Sequence, residues 1–522
     1  MKSVLTSLVA LVIVTGVAYR IIALGRVPGM NGDETYYAVA AMNVRDGRPQ
    51  PLVTGSGLPL NPLYVGPMYL LHLSHPTPSF ALVRLPALAS GLLALALMYP
   101  LTVRVVDRHA ALYATLLLAS LPTAIAYSRF GWDQSQAPLI ALLCIYCALR
   151  NWPLRLALSY ALALWIHPAN GFLAPIVLGP IAARDVAMWQ RRRSNAAIMR
   201  NLAAIGALAV AVAGLLVWLS PAVRYATAPA LARTFDMSGW SRYVVAVGDL
   251  LSGLTIYRFI AGDPPNAWII VERSVFWALT IYLTARVLPT WLRSREGMKL
   301  GLFGGGLVAL LAFYILVGDA ALSPGWERYG VWIISPACVI FGLLISSLGT
   351  SAASRSAQTM GVIAACLFML AGFYRNYFAV LETSGGAAHL AFRTGPVEPK
   401  QAAFDTILTM TSGEPGPVTV LAEDWWTYYP LRYLAAEHKT MTVVWPRGDA
   451  IAGTATERPR HRFAVGFERG AFHRWVDLHA PELRQQTVMD SAGRPILHVW
   501  DLGSRGDLQQ MLLDAARGEE SQ

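Results

Sequence analysis

Two adjacent carboxylates near the start of the chain are the residues best suited to chemistry. Asp33 and Glu34 follow the first apolar segment, residues 4–24, in a short polar loop. Acidic residues at this place could simply complement the dipole of a helix N-terminus. A carboxylate held close to a low-dielectric environment could instead act as a general base or hold a cation. The spacing alone leaves both interpretations open.

The composition indicates a membrane protein. The 522 residues are 55% hydrophobic and only 14% charged, whereas soluble chains carry about 25% charged residues. The apolar residues form runs of roughly 15–22 residues, which is the length of a helix that crosses a bilayer. All four cysteines fall inside these runs, so we expect small buried side chains and no disulfide framework. We therefore predict a polytopic α-helical membrane protein.

The apolar runs predict about eleven transmembrane helices. Two short central runs are separated by Pro168 and Gly171, which end one helix and begin the next. The predicted spans cover residues 4–24, 82–103, 109–126, 134–149, 153–167, 170–183, 201–219, 267–285, 300–318, 329–347 and 358–379.

The arginines and lysines between the spans predict the orientation. With the N-terminus in the cytoplasm, most of them lie in cytoplasmic loops, as in other inner-membrane proteins. The net charge of +11 therefore reflects orientation, and we expect no nucleic-acid partner. Two long loops, residues 25–81 and 220–266, then face outwards together with the C-terminal region. We predict a multi-pass protein of the cytoplasmic (inner) membrane with a periplasmic or extracytoplasmic C-terminal domain.

The C-terminal region differs from the rest in composition. After a membrane domain over residues 1–384, residues 385–522 alternate short apolar strands with amphipathic helices, which predicts an extracytoplasmic α/β domain. The predicted strands are 417–422, 441–444, 462–467, 486–489 and 495–500, and the predicted helices are 399–410, 425–436, 470–478 and 506–517.

Further polar residues fall on the same predicted side as Asp33. Arg129 and Asp133 flank one short turn, His167 lies in the next, and Arg328 precedes the tenth span. A surface ion pair, a helix cap and a headgroup anchor would account for them without any function. Arg328 could alternatively clamp a lipid-linked phosphate, because a guanidinium donates two parallel hydrogen bonds to phosphate oxygens.

An aromatic cluster opens the second predicted helix of the C-terminal region. It includes Trp425 and Trp426 and follows the acidic residues Glu423 and Asp424. Such a cluster fits the core of a domain with acidic residues at a helix start. It could also contact a glycan or a cavity that faces the membrane.

The order of these motifs resembles one known family. The segment Gly32-Asp33-Glu34-Thr35-Tyr36-Tyr37-Ala38 resembles the first outer loop of the integral-membrane GT-C glycosyltransferases, above all the protein O-mannosyltransferases and the aminoarabinose lipid A transferases, families 39 and 83. The likeness covers residues 1 to about 180, including Arg84-Leu85-Pro86 and Ser128-Arg129 with Asp133. A weaker likeness returns at Glu327-Arg328-Tyr329 with Pro336.

This resemblance implies a GT-C fold and a glycosyltransferase. The donor would be a polyprenyl-phosphate-linked sugar, transferred with inversion to a lipid, glycan or protein acceptor at the outer membrane face. By position, Asp33 would be the general base, Glu34 would support it, and Asp133 would complete an acidic cavity. The implied substrate-binding residues are Tyr36, Tyr37, Arg129, His167, Arg258, Arg328 and Tyr329.

The resemblance leaves the cofactor and the sugar open. The charged pair that the lipid A transferases carry in the first loop is missing from residues 58–64. We therefore expect no certain cofactor, with a divalent metal ion as the alternative, and do not assign aminoarabinose as the sugar.

Two other functions fit a polytopic chain. A transporter or flippase of lipid-linked saccharides would keep ionisable residues near the membrane midplane. A non-catalytic partner in cell-envelope assembly would need no carboxylate at the mouth of a span. Because the unusual carboxylates lie at one face beside a folded domain, the sequence favours chemistry on one side of the membrane.

Overall fold

A computed structural model describes most of the chain. It covers residues 2–192, 233, 235–261, 266–384 and 399–520, apart from residues 52, 55–58, 350, 413–415, 447–459 and 491. The predicted span at 201–219 lies outside the described residues, as does part of the predicted outer loop 220–266.

The N-terminal part of the described chain is helical. Short 3-10 turns at Asp133–Gln136, Pro168–Phe172, Asp319–Leu322 and Glu327–Ile333 connect some of the helices, and a π-helical turn covers Tyr374–Ala379. The helices are α1 (Lys2–Ile21), α2 (Gly32–Arg45), α3 (Pro62–Ser74), α4 (Phe80–Thr102), α5 (Arg108–Ser120), α6 (Pro122–Tyr127), α7 (Ala137–Leu149), α8 (Pro153–Ile166), α9 (Leu173–Arg192), α10 (Met237–Ser252), α11 (Leu254–Ala261), α12 (Ala267–Arg293), α13 (Gly297–Leu316), α14 (Ile334–Ser346), α15 (Ala352–Phe373) and α16 (Val380–Ser384).

Six helical segments in the described residues are long and apolar enough to cross a membrane. Two further apolar helices, which begin at Asp133 and Pro153, are shorter. The six are Ser3–Ile21, Phe80–Thr102, Ala267–Arg293, Gly297–Leu316, Glu327–Ser346 and Ala352–Thr383. Each coincides with a predicted span, so the prediction of a helical multi-pass membrane protein is confirmed.

The predicted third span is divided in the structure. Leu121 has an extended backbone between α5 and α6, and Pro122 begins the second helix. Proline lacks the N–H that would continue the α5 ladder and suits the first turn of a new helix. The continuous helix that we predicted over 109–126 is therefore wrong in this detail.

Glycines allow two of the helices to pack closely. A Cβ added to Gly301 of α13 would lie 2.5 Å from the carbonyl oxygen of Gly179 on α9, and one added to Gly305 would lie 2.2 Å from that of Pro175. Small residues at such contacts let the helix backbones approach closely. The van der Waals packing that results favours helix association in membranes.

The C-terminal part folds as an α/β domain. Strands β1 (Val418–Ala422), β2 (Met441–Val444), β3 (His461–Phe467), β4 (Gln485–Met489) and β5 (Pro495–Gly503) form one sheet in the order β2-β1-β3-β5-β4. The β2-β1-β3 half is parallel and the β3-β5-β4 half is antiparallel. The helices are α17 (Pro399–Thr411), α18 (Trp425–Leu434), α19 (Ala471–His479) and α20 (Gly506–Glu520). All five strands and four helices of the prediction are confirmed, with ends shifted by three residues at most.

Helix α2 positions the carboxylate pair between these two parts. Asn31 caps the helix by accepting a hydrogen bond from the amide of Asp33, and Glu34 completes a capping box with the amide of Asn31. Gly32 lies against Trp425 and Trp426 of α18, where a Cβ would be 2.8 Å from the Trp425 ring. The C-terminal domain therefore packs directly on the start of α2.

Candidate functional site

Asp33 lies where three distant parts of the chain meet. Its Oδ2 accepts a hydrogen bond from Nη1 of Arg328 at 2.9 Å, and its Oδ1 accepts one from Nε1 of Trp425 at 3.0 Å. The side chain keeps 24% of its surface exposed. The carboxylate is thus held by one cation and one neutral donor, and it remains accessible.

Arg328 is surrounded by aromatic rings. Its guanidinium lies 5.1 Å from the ring centre of Trp132 and 5.3 Å from those of Trp326 and Tyr329. These ring faces attract the cation and shield it from water. Among the described residues, no hydrogen-bond partner is found for its Nε. The site therefore holds a positive charge with a donor left over for an anionic ligand.

Glu34 points away from Asp33 into the interior. Arg84 binds both of its oxygens, at 2.9 Å and 3.0 Å, and the amides of Gly131 and Asn31 add hydrogen bonds at 2.6 Å and 3.1 Å. Both side chains are buried. This buried ion pair joins α2, α4 and the turn before α7, so it fixes the position of its neighbour Asp33.

Asp133 is buried close to the Asp33–Arg328 pair. It lies in the turn before α7, where its Oδ1 accepts the amide of Gln134 at 2.8 Å. Burial raises the pKa of this carboxyl group to about 7, although a hydrogen bond from Tyr37 and the charge of Arg328 act in the opposite direction. The structure therefore brings Asp133 and Tyr37 close to Asp33 and Arg328.

Three other predicted residues line the same region. Tyr36 stacks on Trp425 at 5.4 Å between ring centres, and its hydroxyl donates to the carbonyl of Val53. The ring centre of His167 lies 5.4 Å from that of Tyr329.

Two predicted arginines occupy other places. The guanidinium of Arg129 is buried at the end of α1, where it donates to the carbonyls of Tyr19 and Val27 and lies 5.0 Å from the ring centre of Phe378. Arg258 lies on α11, where its charge favours the ionised form of Asp249. Arginines outside the apolar runs look alike in sequence, whether they bind carbonyl groups, pair with carboxylates or bind substrates.

Trp425 is the site residue that the sequence analysis did not assign. The sequence predicts it only as part of an aromatic cluster of the C-terminal domain, with a cavity contact as the alternative. The signal that could have identified it is its position directly after β1 and at the first turn of α18. A second link supports the same contact, since Nζ of the buried Lys400 donates to the carbonyl of Met30 at 2.9 Å.

Asp424, at the start of α18, should make the free energy of unfolding depend on pH. Asp424 caps this helix through the amide of Thr427, and desolvation of the half-buried carboxyl group raises its pKa to about 6. The folded state therefore keeps this proton to a higher pH than the unfolded chain, whose Asp groups titrate at about 3.9. The stability that this group contributes should fall as the pH rises from about 4 to about 6.

This pH effect can be isolated with one variant. Asp424→Asn keeps a helix cap but does not titrate. The thermal unfolding temperature of wild type minus that of Asp424→Asn should decrease as the pH rises from about 4 to about 6. Above that window the difference should be constant. A difference that stays constant from pH 4 to pH 7 would contradict the assigned titration.

One group of described residues could hold a metal ion. Glu468, His473 and His498 in the C-terminal domain bring ligand atoms within 4.8 Å of one another. Their chemistry, two imidazoles and a carboxylate, suits zinc. Around Asp33, by contrast, the described residues form no comparable group.

Comparisons with known proteins support the fold. No family model and no curated protein matches the sequence. The structure resembles the crystal structure of ArnT from Cupriavidus metallidurans in the apo state, with a TM-score of 0.54, 13% identity, and coverage of 96% of this chain and 99% of that chain. For the same protein bound to undecaprenyl phosphate, the TM-score is 0.50 at 15% identity, with the same coverage.

A structure of a second protein gives the same result. The apo oligosaccharyltransferase of Archaeoglobus fulgidus has a TM-score of 0.50 and 14% identity, over 89% of this chain and 69% of that chain. At such identities the similarity concerns the fold and leaves substrates undetermined. The chain is therefore a multi-pass membrane protein that shares the fold of ArnT over most of its length, including a C-terminal α/β region.

Proposed function

We propose that this protein is a glycosyltransferase that moves a sugar from a polyprenyl-phosphate donor to an acceptor. The observation that carries the proposal is the pairing of Asp33 with Arg328 at 2.9 Å. It places a potential base beside a potential phosphate site within a fold whose relative, ArnT, has been crystallised with undecaprenyl phosphate. The remaining steps follow from the chemistry of these two side chains.

Arg328 is proposed to bind the donor phosphate. A phosphate that approaches its guanidinium competes with Asp33 for the same donors and forms stronger, bidentate hydrogen bonds. The aromatic rings around Arg328 keep the cation in place while its partner changes. Donor binding would then free Oδ2 of Asp33, so the base becomes available only when the donor is present.

Asp33 is proposed to take the proton from the acceptor hydroxyl. The acceptor oxygen attacks the anomeric carbon of the sugar while the bond from that carbon to the phosphate oxygen breaks. The leaving phosphate gains negative charge, which Arg328 neutralises. One displacement at the anomeric carbon inverts its configuration. Two residues, Asp133 and Tyr37, are proposed to line the acceptor side. Three others are proposed to line the donor side: His167, Tyr36 and Tyr329. Arg129 and Arg258 would act only through the helices they hold.

The membrane arrangement completes this proposal. We infer eleven spans in total, of which six are the long helices described above, a membrane domain over 1–384 and a C-terminal domain over 385–522. The positive-inside pattern supports an orientation with the Asp33 loop and the C-terminal domain at the outer face of the inner membrane. The acceptor, a lipid, a glycan or a protein, would then be modified outside the cytoplasm.

The proposed function can be tested without knowing the sugar. Purified protein in proteoliposomes would receive a pooled extract of lipid-linked sugars together with cell-envelope extract as acceptor. Transfer predicts release of free polyprenyl phosphate. If instead no donor is cleaved and labelled donor moves between leaflets, the protein is a flippase; if neither occurs with any donor, the proposal is wrong.

Trp425 provides a finer test of the site. Trp425→Phe removes the hydrogen bond to Asp33 but keeps a ring against Tyr36. Losing a hydrogen bond to a charged group costs about 1.5–3 kcal/mol, so the transfer rate should fall roughly tenfold to hundredfold. Donor affinity should change little, and the unfolding temperature should fall no further than in Trp426→Phe, which separates a positioning role from a structural one. The neighbouring Trp426→Phe is the matched control, and an equal loss of rate in both variants would contradict the assignment.

A further inference from the structure

The cluster of Glu468, His473 and His498 lies at one end of the C-terminal sheet. Glu468 follows β3, His473 lies in the first turn of α19, and His498 lies in β5. Nε2 of His498 is 2.5 Å from Oε2 of Glu468, and Nδ1 of His473 is 3.8 Å from Oε1 of the same carboxylate. The centres of the two imidazole rings lie 4.4 Å apart. Glu468 thus stands between two histidines, with one oxygen towards each.

The surroundings of His498 suit a metal ligand. Its ring is buried, and its Nδ1 lies 3.2 Å from the hydroxyl of Thr487 on β4. In a metal-bound form, a hydrogen bond from Nδ1–H to this hydroxyl would leave the lone pair of Nε2 for the ion. Metal-binding histidines are usually oriented in this way by a partner on the second nitrogen.

The spacing fits a single ion after a small change. Ligand atoms at about 2.0–2.1 Å from a tetrahedral zinc ion lie about 3.3 Å from one another. Oε2 of Glu468 and Nε2 of His498 are closer than this because they form a hydrogen bond, which a metal ion would replace. The Oε1 to His473 distance is slightly longer, so a modest rotation of both side chains brings three ligands into range.

A fourth group stands next to the cluster. Oδ2 of Asp477, one turn further along α19, lies 3.4 Å from Nε2 of His473. It could complete a tetrahedral site or leave that position to water. The amide of Arg469 donates to Nδ1 of His473 at 2.8 Å. If His473 binds the ion through Nδ1, this atom gives its lone pair to the metal. If it binds through Nε2, the ring proton moves to Nδ1. In both cases Nδ1 can no longer accept the hydrogen bond from Arg469.

The cluster is connected to the catalytic region through Glu423. This buried carboxylate accepts hydrogen bonds from the amides of Phe467 and Ala471, on both sides of the turn that carries Glu468. Glu423 lies two residues before Trp425. A metal ion at the cluster would therefore hold the β3–α19 turn and, through it, the start of α18.

We propose that Glu468, His473 and His498, with Asp477 beside them, form a zinc site that stabilises the C-terminal domain. Two imidazoles and carboxylates prefer zinc over calcium or magnesium, which favour oxygen ligands alone. This site is separate from Asp33 and does not depend on the proposed transfer reaction.

Metal binding to the purified full-length protein tests the proposal. The protein would be stripped with a chelator, dialysed, loaded with Zn²⁺ or Co²⁺, and analysed for bound metal and for the visible absorption of tetrahedral cobalt. Wild type should bind about one ion. His498→Gln and His473→Gln should each lose it. The control is His461→Gln, since His461 pairs with Asp501 at 2.8 Å within the same domain.

A second readout separates this site from other metal sites. Zinc should raise the unfolding temperature of wild type and of His461→Gln, because a ligand that binds only the folded state stabilises it. It should leave the temperature of His498→Gln unchanged. Asp33→Asn should bind metal as wild type does. No bound metal in wild type, or equal binding in wild type and both cluster variants, would overturn the proposal.

Discussion

Asp33→Asn should reduce sugar transfer by about 10²–10⁴-fold, the usual contribution of a general base. Asparagine has nearly the same shape but does not accept a proton at neutral pH. The acceptor oxygen would then attack without losing its proton, which raises the barrier of the chemical step. Arg328 keeps its charge in this variant, so donor binding should be retained.

Two measurements identify this effect. The maximal transfer rate should fall, while the dissociation constant for polyprenyl phosphate should stay within a few-fold of wild type or become tighter, because Arg328 no longer has an anionic partner to leave. Asp46→Asn is the control: Asp46 follows the same helix α2 but pairs with Arg45 at 2.7 Å. Equal rates in wild type and Asp33→Asn would remove Asp33 from the chemistry.

Removing Arg84 should cause the largest loss of stability. Arg84→Met leaves Glu34 as a buried charge without its cationic partner, and breaking such a pair costs about 3–5 kcal/mol. The same arginine donates to the carbonyls of Leu24, Pro28 and Gly29, which would also lose a partner. We expect a large decrease in the unfolding temperature and in the yield of folded protein.

The interpretation can be checked with a second substitution. Arg84→Met combined with Glu34→Gln removes the unpaired charge and should recover part of the lost stability, which a double-mutant cycle measures. The control is Arg45→Met, which breaks the ion pair with Asp46 near the surface and should cost no more than about 1 kcal/mol. Similar losses in the two single variants would contradict a special role for the buried pair.

The sequence predicted secondary structure well, for physical reasons. Membrane helices require long apolar runs, and the strands of the C-terminal domain alternate clearly with amphipathic helices. The division of the predicted third span at Pro122 shows where this approach fails. Pro86 lies inside α4, whereas Pro122 begins a new helix, so proline alone did not reveal which of the two outcomes applies.

The contacts of the candidate site could be predicted only in part. Charge alternation predicts that Asp33 and Arg328 lie on one side of the membrane, but it does not predict their hydrogen bond, which joins residues 295 positions apart. The contact of Trp425 with Asp33 spans 392 positions. It depends on how the C-terminal domain packs on α2, for which the sequence has no periodic signal.

Glu34 shows a further limit of motif analysis. Adjacent acidic residues suggested a joint role, yet their side chains point in different directions. One accepts hydrogen bonds from Arg328 and Trp425, whereas the other is enclosed by Arg84 and two backbone amides. In a helix, neighbouring residues face about 100° apart, so one partly exposed carboxylate and one buried carboxylate follow from the geometry.

The most direct test of the account is the anomeric configuration of the transferred sugar. Once a donor is identified, the configuration in donor and product can be compared by NMR. A single displacement with Asp33 as base predicts inversion. Retention would contradict the account, because it requires two displacements and a covalent sugar intermediate, with a carboxylate acting as nucleophile.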